Sequence, residues 1–392
     1  MKVLASGKLV GVDELDAVIH ATVDWMSGSA GGHITAEFGR LVASYIGVKY
    51  GIPCNSGSSA NLLACMAVLK PGDEVVTTAL NFPTTLAPII QAGATPIFVD
   101  VSMNGFVPTF EGVKNALTKK TKAVVLAHTL GYPFPANQIR KLCDQRNIYL
   151  IEDNCDALGT QIGRNKTGSF GHLSTLSFYA AHHITTGEGG MVLTDDLALA
   201  RKVKCLRDWG RACWCEPGQD NTCGRRFDGE YDHKYTYALL GYNLKMHDIL
   251  AAIGVTQMKK IDKFIGTRRA NHIHLATRAH EMGLDKWFHL PTARINDPIS
   301  WFGFSLVCKG NLDRTKLQRW LENKEVVTRV FFGGNMLRQP ACKSIPYRTA
   351  EELVNTDIIH KRGLWIGCWP GLDETHLNYA LDMIYEYVTR EA

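Results

Sequence analysis

Ile148-Tyr-Leu-Ile-Glu-Asp153 is a short apolar run that closes on two acids. Its hydrophobicity is continuous rather than alternating, the pattern of a strand covered on both faces. Runs of the same kind lie on either side of it, at 74–78, 95–100, 123–128, 173–179 and 190–194. Helical patterns fill the intervals, among them 59–69 and 135–145, the second with Pro135 at its start. Strand alternating with helix predicts an α/β domain built on a mostly parallel sheet. Ligands of such sheets bind beyond the carboxyl ends of the strands, where Asp153 stands.

The alternation stops near Asp208. Residues 207–242 are rich in Gly, aromatic and charged side chains and lack periodicity, and a loop of that length inside a compact domain is usually functional. A long helix is expected over 249–269, linking to a smaller C-terminal domain. The boundary is drawn at 250/251, giving 1–250 and 251–392. The 392 residues suffice for a large core, and a net charge of +5 is too mild to argue for nucleic acid. No apolar run approaches the roughly 18–20 residues of a membrane span, and no export signal is visible, so a reducing cytoplasmic setting is expected. There, 11 cysteines suggest packing with a metal or redox subset.

Three motifs fall at strand ends. Asn55-Ser-Gly-Ser-Ser-Ala-Asn61 precedes a helix, and its small residues leave backbone N–H groups open to a phosphate. Ile151-Glu-Asp-Asn-Cys-Asp156 offers an acid able to hold a ring nitrogen protonated. The third is Ser177-Phe-Tyr-Ala-Ala-His-His-Ile-Thr-Thr-Gly-Glu-Gly-Gly190. Separately, Cys155, Cys213, Cys215 and Cys223 form the pattern Cys-x57-Cys-x-Cys-x7-Cys. Four thiolates suit an iron–sulfur cluster or a zinc ion, and spacing alone leaves both open.

In order and spacing the three motifs resemble the sugar aminotransferases of the fold type I family, which use pyridoxal phosphate (PLP). The resemblance covers nearly the whole chain. It implies the PLP-dependent transferase fold: a large domain with a mostly parallel seven-stranded sheet, and a smaller C-terminal α/β domain. It assigns Gly57, Ser58 and Ser177 to the cofactor phosphate, Asp153 to the pyridine nitrogen and Phe82 to stacking on the ring. Asn243 would reach the phosphate of the partner subunit in a homodimer. One position departs. Where the family has the lysine that binds the cofactor covalently, this chain has His182, and no Lys occurs between Lys166 and Lys202. Imidazole cannot form a Schiff base but can move protons near neutral pH. The cofactor is therefore expected as non-covalent pyridoxamine phosphate, with His182 as the base. Asp156 is a second departure, near the ring hydroxyl, where it should affect the cofactor's electronics.

The cysteine pattern is similar to the [2Fe–2S] signature of the family's 3-dehydrases acting on CDP-linked 4-keto-6-deoxyhexoses. That similarity implies C3 deoxygenation of a nucleotide sugar for 3,6-dideoxyhexose synthesis, of the kind found in lipopolysaccharide O-antigens. Tyr179 would then lie near the one-electron chemistry. Electrons would come from a separate flavin/iron–sulfur NAD(P)H reductase, since no nicotinamide or flavin fingerprint is present. Cys155, two residues beyond Asp153, would put the cluster close to the cofactor. Arg329 and Arg338, among aromatics and glycines, are candidates for the substrate diphosphate. The competing expectations are a cluster-free 3-dehydratase, a sugar aminotransferase, and a non-catalytic binding module with zinc.

Overall fold

The structure is a computed structural model. It describes residues 1–28, 31–215, 219, 221–291 and 298–391. Four positions of the 207–242 loop, 216–218 and 220, lie outside the described residues.

The strands in chain order are β1 Tyr50–Cys54, β2 Glu74–Thr78, β3 Thr95–Val99, β4 Thr121–Ala127, β5 Tyr149–Asp153, β6 Gln161–Ile162 and β7 Asn165–Lys166. They continue with β8 Leu173–Ser177, β9 Gly190–Thr194, β10 Phe288–His289, β11 Gly303–Cys308, β12 Arg348–Thr349 and β13 Gly363–Gly367. The main sheet runs β1-β9-β8-β5-β4-β2-β3-β12. From β8 to β12 every pairing is parallel, while β9 is antiparallel to both β1 and β8. The sheet has eight strands rather than the expected seven because two residues from the C-terminal part, β12, add to its edge. Edge strand β1 carries Gly51 and Pro53, which hide it from a strand reading; an edge tolerates proline because one side of the ladder is open. The central strands are sealed on both faces: Val75, Val76, Val124, Leu126, Leu150 and Ile151 are at most 1% exposed.

The helix Gly57–Val68 begins at the carboxyl end of β1. Ser56 caps it, its hydroxyl accepting the Ser59 N–H at 3.1 Å. Its buried face of Ala60, Leu63, Ala64 and Ala67 packs on the sheet, which fixes where its N-terminus points. The long helix expected over 249–269 is two helices, Asp248–Met258 and Ile261–Glu281. They meet at Lys259-Lys260, where Lys260 Nζ binds Glu14 (2.8 Å) and Asp13 (3.1 Å) of the first helix, Val12–Met26. A division at 250/251 falls inside Asp248–Met258, which packs against Val12–Met26 and His33–Ile46.

The second core lies around the antiparallel sheet β10-β11-β13 and gathers Leu275, Phe288, Phe304, Leu321, Ile366 and Leu381, joined by Val3 from the N-terminus. The described residues of 207–242 are tied by isolated bridges Asp208–Asn243 and Arg211–Tyr237 and include the 3-10 turn His233–Tyr235. Among the described residues, no helix is long and apolar enough to cross a membrane.

Candidate active site

Asp153 ends β5 and is 6% exposed. Its Oδ2 accepts from Asn61 Nδ2 at 2.8 Å and Thr85 Oγ1 at 2.6 Å; its Oδ1 accepts from the Cys155 N–H at 3.2 Å. Asn61 is itself held, its Oδ1 accepting from Thr175 Oγ1 at 2.6 Å. Three elements thus fix one carboxylate at the sheet's carboxyl edge. Its neighbour Glu152 points to the opposite face, as the strand period requires. There it binds His128 Nε2 (2.9 Å) and the N–H groups of Gly168 (3.0 Å), Phe170 (2.7 Å) and Gly171. Asn61 lies within one expected motif, but its role and that of Thr85 were not legible. Each becomes visible only when the N-terminal part of its helix is set against β5.

The sequence-predicted phosphate residues meet. A Cβ added at Gly57 would fall 2.5 Å from Ser177 Cβ and 2.9 Å from its Oγ, so only glycine allows this approach. Ser58 is exposed at the open end of the helix. Asn243 is also exposed, and the next residue's carbonyl, Leu244 O, accepts the Asn55 N–H at 2.9 Å beside the same turn. Phe82 is 49% exposed at the N-cap of Pro83–Gln91. A C-terminal segment is zipped to this strand end, Gly333 N–H to Asn81 O at 3.0 Å and Met336 N–H to Ala79 O at 2.8 Å.

His182 lies on the turn after β8, its N–H donating to Tyr179 O at 3.0 Å. Tyr179 is 52% exposed. His182 Nδ1 stands 3.6 Å from Asp156 Oδ1, an apparent ion pair. The electrostatics argue otherwise. Burial first, then the neighbouring Asp153 charge, raises Asp156 to about 8. Burial first lowers His182 to about 4; the Asp153 charge opposes this and the Arg268 cation adds to it. Both are neutral at neutral pH. Arg268, 1% exposed, sits behind the turn. It donates to Trp301 O (3.2 Å), Phe302 O (3.4 Å) and His182 O (3.4 Å), so carbonyls rather than carboxylates accept its terminal N–H groups, while its buried Nε has no partner among the described residues. The second histidine, His183, binds Ser300 O at 3.1 Å and is buried.

Of the four cysteines, the structure brings three together. Cys215 Sγ is 3.4 Å from Cys223 Sγ, and the Cys215 N–H donates to Cys213 Sγ at 3.5 Å. The ligand atoms of Cys213, Cys215 and His233 lie mutually within 4.8 Å. Cys155 stays beside the acids: burial first, then Asp153, pushes its thiol well above the usual value. Burial opposes ionisation of Cys215, but hydrogen bonds from Cys223, Cys213 and His233 outweigh it and lower the thiol to about 6. His233 was not foreseen, because nothing in an aperiodic stretch marks one histidine as facing sulfur. Of the remaining cysteines, Cys54, Cys65, Cys143, Cys308, Cys342 and Cys368 are buried, as packing residues should be.

The two arginines differ. Arg338 is engaged by Asp357 through two bonds, 2.6 and 3.2 Å, while Arg329 is exposed beside the Arg329–Trp365 bridge.

The cradle fits a pyridoxal-type phosphate: a capped helix N-terminus, a glycine whose Cβ would close the space, and a buried acid braced by two donors. The cysteine loop has the donor chemistry of a thiolate metal centre.

Residues 12–384 match the DegT/DnrJ/EryC1/StrS aminotransferase family. The dTDP-4-dehydro-2,6-dideoxy-D-glucose 3-dehydratase of Saccharopolyspora spinosa is 42% identical over 99% of this chain and 87% of its own length. The lipopolysaccharide biosynthesis protein RfbH of Salmonella typhimurium is 42% identical over 97% of this chain and 91% of its own. In structure, a mutant GDP-4-keto-6-deoxymannose-3-dehydratase with bound GDP-perosamine superposes with a TM-score of 0.87 at 27% identity, over 97% of this chain and 100% of that one. The same enzyme with a trapped PLP-glutamate geminal diamine gives 0.87 at 26%, with the same coverage. The chain has the α/β fold of these PLP-dependent proteins and belongs to the DegT/DnrJ/EryC1/StrS aminotransferase family.

Proposed function

We propose that the protein removes the C3 hydroxyl of a nucleotide-linked 4-keto-6-deoxyhexose in 3,6-dideoxyhexose biosynthesis, using pyridoxamine 5′-phosphate and a [2Fe–2S] cluster. The carrying observation is His182, standing where the family's lysine would be, in a chain that also gathers Cys213, Cys215 and Cys223 into one loop. The relatives support the broader class, 3-dehydration or amination of nucleotide sugars in deoxysugar biosynthesis. By name they act on dTDP- and GDP-linked sugars, so a nucleoside diphosphate is the class proposed, with CDP one member of it.

When bound, the cofactor supplies an amine for the sugar ketone and a ring that takes up an electron pair, and the cluster supplies electrons singly. The chain does the rest. Gly57, Ser58 and Ser177 hold the phosphate at the helix N-terminus. Phe82 covers the ring. Asp153, braced by Asn61 and Thr85, keeps the ring nitrogen protonated. His182 is neutral at neutral pH, so its imidazole can accept a proton and pass it to the departing hydroxyl. Asp156 keeps its own proton and so does not trap His182 as an imidazolium. Tyr179 flanks the one-electron step. Arg329 binds the diphosphate, joined by Arg338 once Asp357 releases it. In a homodimer Asn243 serves the partner's cofactor, and a separate flavin/iron–sulfur NAD(P)H reductase delivers electrons in the cytoplasm.

A second reading is glutamate-dependent 3-dehydration without a cluster, favoured by the fold shared with a GDP-4-keto-6-deoxymannose-3-dehydratase trapped as a PLP-glutamate geminal diamine. Incubation of anaerobic protein with a nucleotide-linked 4-keto-6-deoxyhexose, pyridoxamine phosphate, glutamate and a reductant separates the readings. Mass spectrometry should show a product lacking one oxygen and gaining no nitrogen, dependent on reductant. An amino sugar formed from glutamate would refute the proposal, and deoxygenation without reductant would favour the second reading.

A further inference from the structure

His233 is a polar side chain at the cysteine loop that the proposed chemistry leaves unused. It opens the 3-10 turn His233–Tyr235. Asp232 caps that turn, accepting from the Lys234 N–H at 3.0 Å, and pairs with Arg226 at 2.8 Å. The His233 N–H donates to Arg226 O at 3.1 Å. Pinned in this way, His233 Nε2 lies 3.2 Å from Cys223 Sγ and 3.8 Å from Cys215 Sγ. Its Nδ1 is buried and has no hydrogen-bond partner among the described residues.

An imidazole beside thiolates is either a fellow ligand or a hydrogen-bond donor. Two ligands of one tetrahedral metal, bonded at about 2.3 Å for sulfur and about 2.0 Å for nitrogen, stand roughly 3.6 Å apart. The 3.2 Å to Cys223 is shorter than that and suits N–H···S. A ligating histidine almost always gives its second ring N–H to an acceptor, and Nδ1 has none here. Both observations favour the donor role.

We infer that His233 Nε2–H donates a hydrogen bond to the Cys223 thiolate, beside Cys215, and thereby raises the reduction potential of the metal centre. The inference rests on the iron–sulfur reading of this loop. Each reduction adds one electron from an external one-electron donor and one negative charge, with no bond made or broken. A donor aimed at a ligand sulfur stabilises the more negative state. The backbone N–H groups of Arg225 (to Cys223 Sγ, 3.4 Å) and Cys215 (to Cys213 Sγ, 3.5 Å) act in the same sense but survive substitution, so the imidazole's part is separable.

The test is a spectroelectrochemical titration, with dithionite as reductant, of anaerobically purified wild type, His233→Leu and His233→Gln, alongside iron analysis. All three should keep iron and visible bands. The Leu variant should lose about tenfold in its reduction equilibrium constant, about 59 mV for one electron, and Gln, which keeps an N–H donor, should recover most of it. A wild-type midpoint in the Leu variant overturns the inference. So does loss of iron from His233→Leu with iron retained in Cys155→Ser, which makes His233 a ligand. Should the Leu variant not fold, pulsed EPR of ¹⁵N-histidine-labelled wild type decides: weak nitrogen coupling supports the donor, and strong coupling overturns it. A wild type without iron or visible bands refutes the cluster reading itself, a result distinct from an unchanged midpoint.

Discussion

Gly57→Ala should damage cofactor binding far more than it damages the fold. The new methyl would lie 2.5 Å from Ser177 Cβ. Carbon pairs settle at about 3.5–4.0 Å, so Ser177 would have to retreat by about 1 Å. Little room exists behind it. Ser177 is the last residue of β8 and is paired with Gly190, and Gly190 is itself so close that its own Cβ would meet Ser56 O at 2.1 Å. Overpacking of this kind costs about 1–3 kcal/mol. Alanine recovers about 1 kcal/mol of that by its helix propensity, leaving a net loss of about 2 kcal/mol at most. The shift also turns the Ser177 hydroxyl and the helix N–H groups away from the phosphate. A hydrogen bond to a charged group contributes about 1.5–3 kcal/mol, so affinity should fall roughly ten- to hundredfold. An absorbance titration with pyridoxal phosphate measures the affinity, and a thermal melt of cofactor-free protein measures the fold. Wild-type affinity in Gly57→Ala would refute the assignment of the phosphate to this turn. Ser58→Ala, on an exposed side chain, should leave the melt unchanged and weaken binding less.

Four further outcomes are expected. His182→Asn should retain the cofactor yet lose exchange of its C4′ proton with solvent by a factor of about 10²–10⁴, followed by NMR in deuterium oxide; exchange at the wild-type rate would remove His182 as the base. Cys213→Ser should retain dehydration and lose reduction, seen as unreduced sugar product by mass spectrometry. Glu152→Ala leaves several buried donors unpaired and should cost at least about 3 kcal/mol in denaturant unfolding. Burial raises the Glu152 pKa, but the bonds from His128, Gly168 and Gly171 outweigh it and hold the folded value low. Its stabilisation is therefore complete above the usual 4.5 and lost as pH falls through the lower folded value. Denaturant melts carried from neutral pH to well below 4.5, through the lowered folded value, should show Glu152→Gln with a flatter acid limb than wild type.

The sheet was legible because its central strands are buried on both faces and so read as unbroken apolar runs. What escaped was short or at an edge: β12 has two residues, and β1 is broken by Gly51 and Pro53. The expected single helix over 249–269 became two because Lys260 is drawn to Glu14, a contact between residues 246 apart that periodicity cannot carry. Within the site, Gly57, Ser177 and Asp153 were legible as motifs at strand ends. Asn61, Thr85 and Arg268 were not, since each acts through a partner distant in sequence. The expected set Cys155, Cys213, Cys215 and Cys223 was a matter of spacing, and spacing carries no information on which other side chains meet the sulfurs; hence His233 was missed.

The central claim joins a histidine in place of the cofactor lysine to an iron–sulfur centre in one chain. Iron, sulfide and zinc analysis of anaerobically purified protein, with EPR after dithionite reduction, tests it most directly. The predicted result is iron and sulfide in equal amounts and an S = 1/2 signal that disappears in Cys213→Ser. A colourless protein that holds zinc, or no metal, and gives no signal on reduction would contradict it.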